Sequence, residues 1–360
     1  MKVKATKCAA LLGRVFVTLP LLGLAACNLI KDDLAECPLP VVEIRFVYDY
    51  NMEYANAFHN QVDCLSAYFF DDAGRLAAVQ EVNDPQLLAD EAFRLRPELP
   101  AGSYSVVAYG GMACDHASFA HANPMQTGSK YTDLHVQLDH AALSDPARAR
   151  LHNHFYGATR FTVESREDTY ATVEMMRNTN SVQVALQHTN GAPIDCNDFL
   201  FEVIDDNNDF DSANNLLATG EITYIPYNTE NRSTGTVAQP EARAEADDDA
   251  PSLQEWHAAL AQFAVSRLVP RGTAGKQTST TLRVRRVEDG EPVLEIPLVN
   301  YMLLFKSDGP SGASTMGNQE YLDRENSWRF VFFLDENSGL WVKNRIVVND
   351  WEVRMNDTDF

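Results

Sequence analysis

Six cysteines are the residues of this chain with the most restricted chemistry, because a thiol can be acylated, oxidised to a disulfide or bound to a metal. Cys8 lies in the N-terminal segment 1–26, Cys27 directly follows that segment, and four more cysteines come later in the chain. Outside the cytosol an even number favours disulfides, and four cysteines allow three pairings. No C-x-x-C pair or zinc-finger His pair accompanies them, so we expect no metal and no cofactor. The disulfide candidates are Cys37, Cys64, Cys114 and Cys196.

Cys64 and Cys114 are the pair that we expect to be joined. Cys64 opens one predicted strand and Cys114 closes another, which is the geometry of antiparallel neighbours. Cys114-Asp115-His116 could place a nucleophile near a base, but a disulfide is the preferred interpretation of this cysteine. The chain contains no G-x-S-x-G, H-E-x-x-H or G-x-x-x-x-G-K-[ST] motif. We therefore predict that the protein is not an enzyme.

Two polar segments could hold a ligand. His152-Asn153-His154 could place two imidazoles together, but no Cys, Asp or Glu lies nearby in the sequence, so we interpret them as a surface feature. The run DDNNDFD at 205–211 has the composition of a calcium loop. However, Phe210 stands where an EF-hand needs Gly, and Leu216 stands where its bidentate Glu belongs. An acidic turn is the preferred interpretation.

The N-terminal segment has the features of a secretory signal. Four basic residues precede the apolar run 15–26, whose 12 residues are fewer than the roughly 20 that a membrane-spanning helix needs. Leu24, Ala25, Ala26 and Cys27 together resemble the lipobox of bacterial lipoproteins, in which the thiol is acylated and the signal is cut just before it. This resemblance implies a signal peptide at 1–26 and lipid attachment at Cys27.

The residues after Cys27 favour the outer membrane as the location. Asn28 stands where an Asp would favour retention of a lipoprotein at the inner membrane. Lys31-Asp32-Asp33 resembles the short acidic tag of lipoproteins that reach the cell surface, although a solvated tether is the alternative. We take 27–40 as a lipid-anchored tether.

The charge of the chain excludes one class of partner. Without residues 1–26 the chain has 25 Lys and Arg against 51 Asp and Glu, a net charge of −26. Such a chain is repelled by polyanions, so we expect no nucleic-acid binding.

Period-two alternation of apolar and polar residues dominates the mature chain and predicts an all-β fold. Its 334 residues exceed the usual limit of one core, so we expect two antiparallel β-sandwich domains, at 41–178 and 179–360, with few short helices. Helical spacing predicts helices at 85–93, 145–152 and 253–263. The expected strands are 42–50, 103–110, 133–138, 159–165, 169–176, 181–188, 280–287, 292–298, 328–335 and 345–354.

One segment of the second half differs in composition. Residues 228–252 have one Val as their only large aliphatic residue, no aromatic residue and an Asp triplet. Such a segment buries too little apolar area to offset its ordering entropy, so it predicts a disordered acidic loop.

Blocks along nearly the whole chain are similar to one known family. The segments AECPLPVVEIRFVYDYNMEYANAF (35–58), QVDCLSAYFFDDAGRL (61–76) and LPAGSYSVVAYGGMAC (99–114) resemble the N-terminal half of the FimB-type family of fimbrial anchor and accessory subunits. FAVSRL (263–268), 319–334 and 346–356 resemble its C-terminal blocks, in the same order. The resemblance implies two transthyretin-like domains in a surface lipoprotein of a Gram-negative anaerobe that joins fimbrial stalk subunits, the fimbrillins, by strand exchange.

The resemblance also implies roles for the two ends of the mature chain. The strand at 41–50 would be retained, because cutting it would free an anchor from its lipid, and Arg45 would be a structural side chain. The C-terminal run 345–354 could be donated to a partner or be the last internal strand. Its more apolar face, which we expect to point inward, carries Val347, Asn349, Trp351 and Val353. These four residues, together with Ile346 from the other face, are the strand-exchange candidates.

A lipid-tethered binding module for glycan or host protein is the alternative function. Tyr109, Trp256 and Trp341 could supply aromatic platforms for such a ligand, although core packing explains them more simply.

Overall fold

The computed structural model describes residues 40–234, 256–306, 312–349 and 351–354. Strands dominate this part of the chain, which confirms the all-β fold class. The strands are β1 (Val42–Val47), β2 (Leu65–Asp71), β3 (Leu76–Val82), β4 (Gly102–Gly110), β5 (Phe119–His121), β6 (His135–Leu138), β7 (Phe155–Val163), β8 (Thr169–Arg177), β9 (Thr179–His188), β10 (Phe199–Asp205), β11 (Asp209–Asp211), β12 (Ile222–Tyr224), β13 (Asn228–Thr234), β14 (Trp256–Ser266), β15 (Thr281–Arg286), β16 (Pro292–Pro297), β17 (Ser327–Leu334), β18 (Trp341–Val348) and β19 (Trp351–Arg354).

The helices are short. They are α1 (Phe58–Gln61), α2 (Pro85–Leu88), α3 (Leu298–Leu304) and α4 (Asn318–Arg324). None of the helices in the described ranges is long and apolar enough to cross a membrane. The signal peptide, the lipobox, Cys27 and Cys37 lie outside the described residues.

Two six-stranded sheets form the framework. The first has the order β1-β8-β7-β4-β2-β3, and the second has the order β13-β14-β9-β17-β18-β19. Most pairs are antiparallel as expected, but β1 with β8 and β9 with β17 are parallel. Two smaller sheets have the orders β12-β10-β15-β16 and β11-β6-β5. β6 lies before the predicted domain boundary at 178/179 and β11 lies after it, so their pairing places strands of both predicted domains in one sheet. The boundary stays a prediction.

The first sheet buries apolar side chains on both faces, which explains the run of four apolar residues, AYFF (67–70), in β2. Phe69 and Val106 belong to one core cluster, whereas Tyr68 and Val107 belong to the other. This follows from the alternation of side chains across a strand. The cluster that contains Tyr68 and Val107 also contains residues of the second sheet, such as Phe330. The described residues from Val41 onward therefore form one compact unit.

Three helix predictions were wrong in whole or in part. The helix expected at 85–93 ends at Leu88, and 145–152 forms turns. The segment expected as a helix at 253–263 is instead the strand β14 over its described part. β14 pairs with β9 on one side and β13 on the other, so its Ala and Leu side chains pack in a central strand despite their helical preference.

The first part of the predicted acidic loop is a strand. Residues 228–234 form the edge strand β13, whose backbone pairs with β14 from Asn228 opposite Gln262 to Thr234 opposite Trp256. Exposed polar side chains suit an edge strand, since they discourage further pairing. The rest of the predicted loop, 235–252, lies outside the described residues.

Candidate functional site

The first candidate surface is β1, the strand that directly follows the tether. Val42, Ile44, Phe46 and Tyr48 are 5%, 0%, 1% and 0% exposed, and they alternate with more exposed residues. β1 pairs in parallel with β8 along its whole length. Arg45 points away from this core and is exposed. The strand therefore contributes one whole face to the first core.

The other side of β1 is also occupied. The Ile44 N–H donates to the Leu95 carbonyl at 2.9 Å, and the Leu95 N–H donates back to the Ile44 carbonyl at 3.0 Å. The edge that faces β8 has a further contact at its start, where the Val41 N–H donates to Asp168 Oδ1 at 2.9 Å. β1 is thus paired with β8 along one edge and with Leu95 at Ile44 on the other, and it packs into the first core.

The second candidate surface is the C-terminal edge of the second sheet. The expectation of one strand at 345–354 was wrong, because β18 and β19 form an antiparallel hairpin. Asn349 makes the turn with a φ of 47°, a left-handed conformation that asparagine tolerates. Its Oδ1 accepts a hydrogen bond from the Arg329 N–H at 2.7 Å, which fixes the turn against β17. β19 is the last strand of the sheet order, so one side of its backbone faces no described strand.

The predicted inward face of this run was wrong. Ile346 and Val348 are fully buried, while Val347 is half-exposed. The register explains the difference, because Ile346 lies opposite Phe332 and Val348 opposite Phe330, two buried residues of β17. These residues anchor β18 in the core.

Trp351 and Val353 lie in β19, and Asn349 precedes it at the turn. The role of the five candidate residues in strand exchange stays a prediction.

The structure joins Cys64 and Cys114 in a disulfide, the pair expected from their strand positions. Cys196 is a buried free thiol. Its backbone N–H donates to Asn231 Oδ1 at 2.7 Å, so the segment around it is tied to β13. Among the described cysteines no partner remains for it.

His152 and His154 lie in different environments, and the interpretation of both as surface features was wrong for His154. This residue is fully buried, with its ring stacked on Phe119 at 4.5 Å between centroids. Burial lowers the pKa of His154 to about 3, so its imidazole is neutral. His152 is partly exposed, and its Nε2 lies 2.9 Å from Asp63 Oδ1. The ring of His116 lies beside it, with the centroids 4.2 Å apart.

The start of the acidic run 205–211 is buried, so the prediction of a simple acidic turn was wrong there. The fully buried Lys276 ammonium contacts both Asp205 and Asp206, and its Nζ lies 2.6 Å from Asp206 Oδ1. The Gln277 N–H also donates to Asp206, at 2.8 Å. Burial lowers the pKa of Lys276 to about 7, while the two carboxylates act in the opposite direction and favour the charged form. These contacts tie the end of β10 to the loop before β15.

Sequence reasoning missed Lys276. A single lysine in the Gly- and Thr-rich loop before β15 has no spacing relation to the acidic run, and only the pairing of β10 with β15 brings the two together.

The comparisons with known proteins agree with this architecture. Residues 34–357 match the family model described as fimbrillin-A associated anchor proteins Mfa1 and Mfa2. The chain belongs to this family. This confirms the resemblance found in the sequence, and it supports a fimbrial accessory, anchor or adhesin role at the cell surface in association with fimbrial subunits.

Solved structures of similar proteins cover almost the same length as this anchor-family chain. A candidate adhesin from Bacteroides thetaiotaomicron is 41% identical with a TM-score of 0.79, covering 90% of this chain and 100% of its own. A candidate polysaccharide-binding protein from the same organism is 26% identical with a TM-score of 0.71, covering 89% and 100%. The fimbrial anchor protein Mfa2 from Porphyromonas gingivalis shares the fold, with 15% identity and a TM-score of 0.60, covering 88% and 100%. No curated protein matches the chain.

Two of the three aromatic residues that could have formed a ligand-binding surface are part of the packed core. Tyr109 and Trp341 are 1% and 9% exposed, which leaves neither ring a face for a ligand. Trp256, at the start of β14, is half-exposed.

Proposed function

We propose that this protein is a lipid-anchored fimbrial anchor subunit of the outer membrane. The acylated Cys27 holds it on the cell surface, the tether at 27–40 spaces it from the lipid, and the folded part binds a fimbrillin. It ends or caps the filament by β-strand exchange and carries no enzymatic activity. The observation that carries this proposal is the position of β1, which follows the tether and is buried in the first core.

The burial of β1 argues for a subunit that keeps its first strand. Its three inward side chains each contribute about 1.5–3 kcal/mol on burial, so removing the strand would cost the fold roughly 5–9 kcal/mol. This is comparable with the whole stability of a domain, which is about 5–15 kcal/mol. A subunit that retains β1 stays covalently joined to its tether, as an anchor must.

The open side of β19 is the surface that we assign to the fimbrillin. An incoming strand would pair with the backbone donors and acceptors on the side of β19 that faces no described strand, and it would extend the second sheet. β18 holds β19 in place, because the β18 side chains Ile346 and Val348 are buried in the core. The opposite edge, β13, carries exposed polar side chains, which suit an edge that stays unpaired.

The lipid part of the proposal is tested at the mature N-terminus. Mass spectrometry of the protein isolated from outer membranes should find an acylated cysteine as the first residue. A mature chain with a free, unmodified N-terminus, recovered from the soluble periplasmic fraction, would refute lipid anchoring.

The fimbrial part is tested by pull-down of the fimbrillin. A variant lacking 350–360 keeps β18 and removes β19, and it should lose fimbrillin binding while retaining the circular dichroism spectrum of the wild type. Undiminished binding by this folded variant would remove β19 from the proposal.

A glycan-binding role is the second candidate, and one groove favours it. A cavity of about 590 Å³ lies between β2 and the sheet β11-β6-β5, and its lining includes Tyr68, His121, Gln137 and His140. His121 Nε2 lies 2.8 Å from the Tyr68 hydroxyl, so the groove presents ordered polar groups beside an aromatic ring. The similarity to a candidate polysaccharide-binding protein fits this role. Glycan-array binding that Gln137→Ala abolishes would support it, and binding of no glycan would exclude it.

A further inference from the structure

Three side chains converge beside the disulfide, at a place that the fimbrial role does not use. Asp63 directly precedes Cys64, His116 lies two residues after Cys114, and His152 belongs to the segment before β7. His152 Nε2 lies 2.9 Å from Asp63 Oδ1, and His116 Nε2 lies 3.5 Å from Asp63 Oδ2. Both imidazoles thus direct Nε2 toward one carboxylate.

The surrounding structure restrains the segments that carry these groups before any ligand arrives. The Cys64–Cys114 disulfide joins the segments of Asp63 and His116. The His152 N–H donates to Ser118 Oγ at 2.9 Å, which ties the third segment to the turn that carries His116. Such restraint lowers the entropy cost of binding.

Gly111 allows the close approach of these segments. It has a φ of 84°, and its N–H donates to the Cys64 carbonyl at 3.0 Å. A Cβ at this position would overlap the carbonyl oxygen of Asn153, the residue next to His152. A side chain here would therefore push His152 away from Asp63.

The donor set suits a divalent transition metal. Zn²⁺ binds imidazole nitrogen and carboxylate oxygen at about 2.0–2.2 Å, and a tetrahedral site with such bonds spaces its ligand atoms roughly 3.3 Å apart. His152 Nε2 lies 2.9 Å from Asp63 Oδ1 and His116 Nε2 lies 3.5 Å from Asp63 Oδ2, so each imidazole is within a few tenths of an ångström of that spacing from one of the two carboxylate oxygens. Two imidazoles and one carboxylate give three protein ligands and leave one position open.

The open position would face a groove. His116 and His152 line a cavity of about 610 Å³, and Arg148 and Arg150 line it with them. Arg148 is paired with Asp139, and the Asp115 carboxylate lines the same cavity, so the groove is not strongly cationic and the fourth ligand that we expect is a water molecule. The sulfur atoms of Cys64 and Cys114 lie close to the donor atoms of Asp63 and His152, but as a disulfide they supply no thiolate.

We propose that Asp63, His116 and His152 form a binding site for a divalent transition metal ion such as Zn²⁺, with the disulfide intact. The site is separate from β19 and from the lipid anchor. Bound metal would fasten the segment before β7 to the start of β2 and the turn after β4. It would also stabilise the first sheet by favouring the folded state.

The test is calorimetric titration of the purified, untagged full chain with ZnCl₂ in a buffer without reductant. We expect one Zn²⁺ per chain and a rise in the melting temperature on saturation. His116→Gln and His152→Gln should each weaken binding by about tenfold or more, because each removes a direct ligand. The matched control is His257→Gln, which changes a half-exposed histidine of β14 in the second sheet and should bind as the wild type does.

Two results would overturn the site. One is the absence of saturable Zn²⁺ binding by the wild type. The other is unchanged affinity and stoichiometry in the double variant His116→Gln/His152→Gln, which would place the metal elsewhere. Melting curves recorded without metal show whether each variant is folded, and Asp63→Asn provides a further variant of nearly the same shape that should also weaken binding.

Discussion

Truncation of Phe46 tests whether β1 is an integral strand. The Phe46 ring is 1% exposed and packs against Phe58 and Phe93, with centroids 5.6 and 6.4 Å away. Phe46→Ala should lower the free energy of unfolding by about 3–5 kcal/mol, the usual cost of removing a buried phenylalanine ring. Arg45→Ala changes the exposed neighbour and should stay within about 0.5 kcal/mol of the wild type.

Urea denaturation followed by circular dichroism measures both variants. Limited trypsin digestion adds a second readout, because Arg45 is the only Lys or Arg between 32 and 74. The wild type should resist cleavage there, whereas Phe46→Ala should be cut and release the tether. A loss below about 1 kcal/mol for Phe46→Ala, with rapid tryptic cleavage of the wild type at Arg45, would refute the reasoning that β1 is held in the core.

Three further predictions concern the buried polar groups and the C-terminal edge. Lys276→Met leaves two buried aspartates without their cation and should cost about 3–5 kcal/mol in urea denaturation, whereas Lys130→Met, at an exposed position, should change stability by less than about 0.5 kcal/mol. The pKa of His154, about 3 when folded and near 6.5 when unfolded, means that the unfolded chain binds the proton first. Stability should therefore fall by about 1.4 kcal/mol per pH unit as the pH drops from about 6.5 toward 3, and His154→Phe should remove this contribution from the measured slope. Deleting 350–360 should release fimbriae into the medium, as counted by electron microscopy of cells and supernatant.

Each of these has an outcome that contradicts it. Equal losses for Lys276→Met and Lys130→Met would show that the buried ammonium is dispensable. An unchanged pH slope in His154→Phe would mean that this imidazole is protonated in the folded chain. Full cell attachment of fimbriae in the deletion strain would show that β19 does not hold them.

The sequence predicts β1 well and β14 poorly, for one physical reason. The alternation of Val42, Ile44 and Phe46 is a local pattern, and the structure buries those side chains. The Ala- and Leu-rich segment of β14 also fits a helix, and only its pairing with β9 and β13 decides the outcome. Strand partners are distant in sequence, so their effect is invisible to a local pattern.

The histidine cluster shows the same limit. His152 and His154 are close in sequence and suggested a pair, yet His154 is buried against Phe119. The real neighbours of His152 are Asp63 and His116, which come from other segments. The disulfide joining Cys64 to Cys114 brings them together, so the correct pairing of the cysteines was the one available signal.

The most direct test of the account is where fimbriae are found in a strain carrying Cys27→Ala. The account predicts a stable, folded protein without acyl chains, and fimbriae that assemble but are shed into the medium. Immunoblotting for the fimbrillin in cell and supernatant fractions, with Cys196→Ala as the matched cysteine control, measures this partition. Fimbriae that remain on the Cys27→Ala cells as firmly as on the wild type would contradict the claim that this protein anchors them.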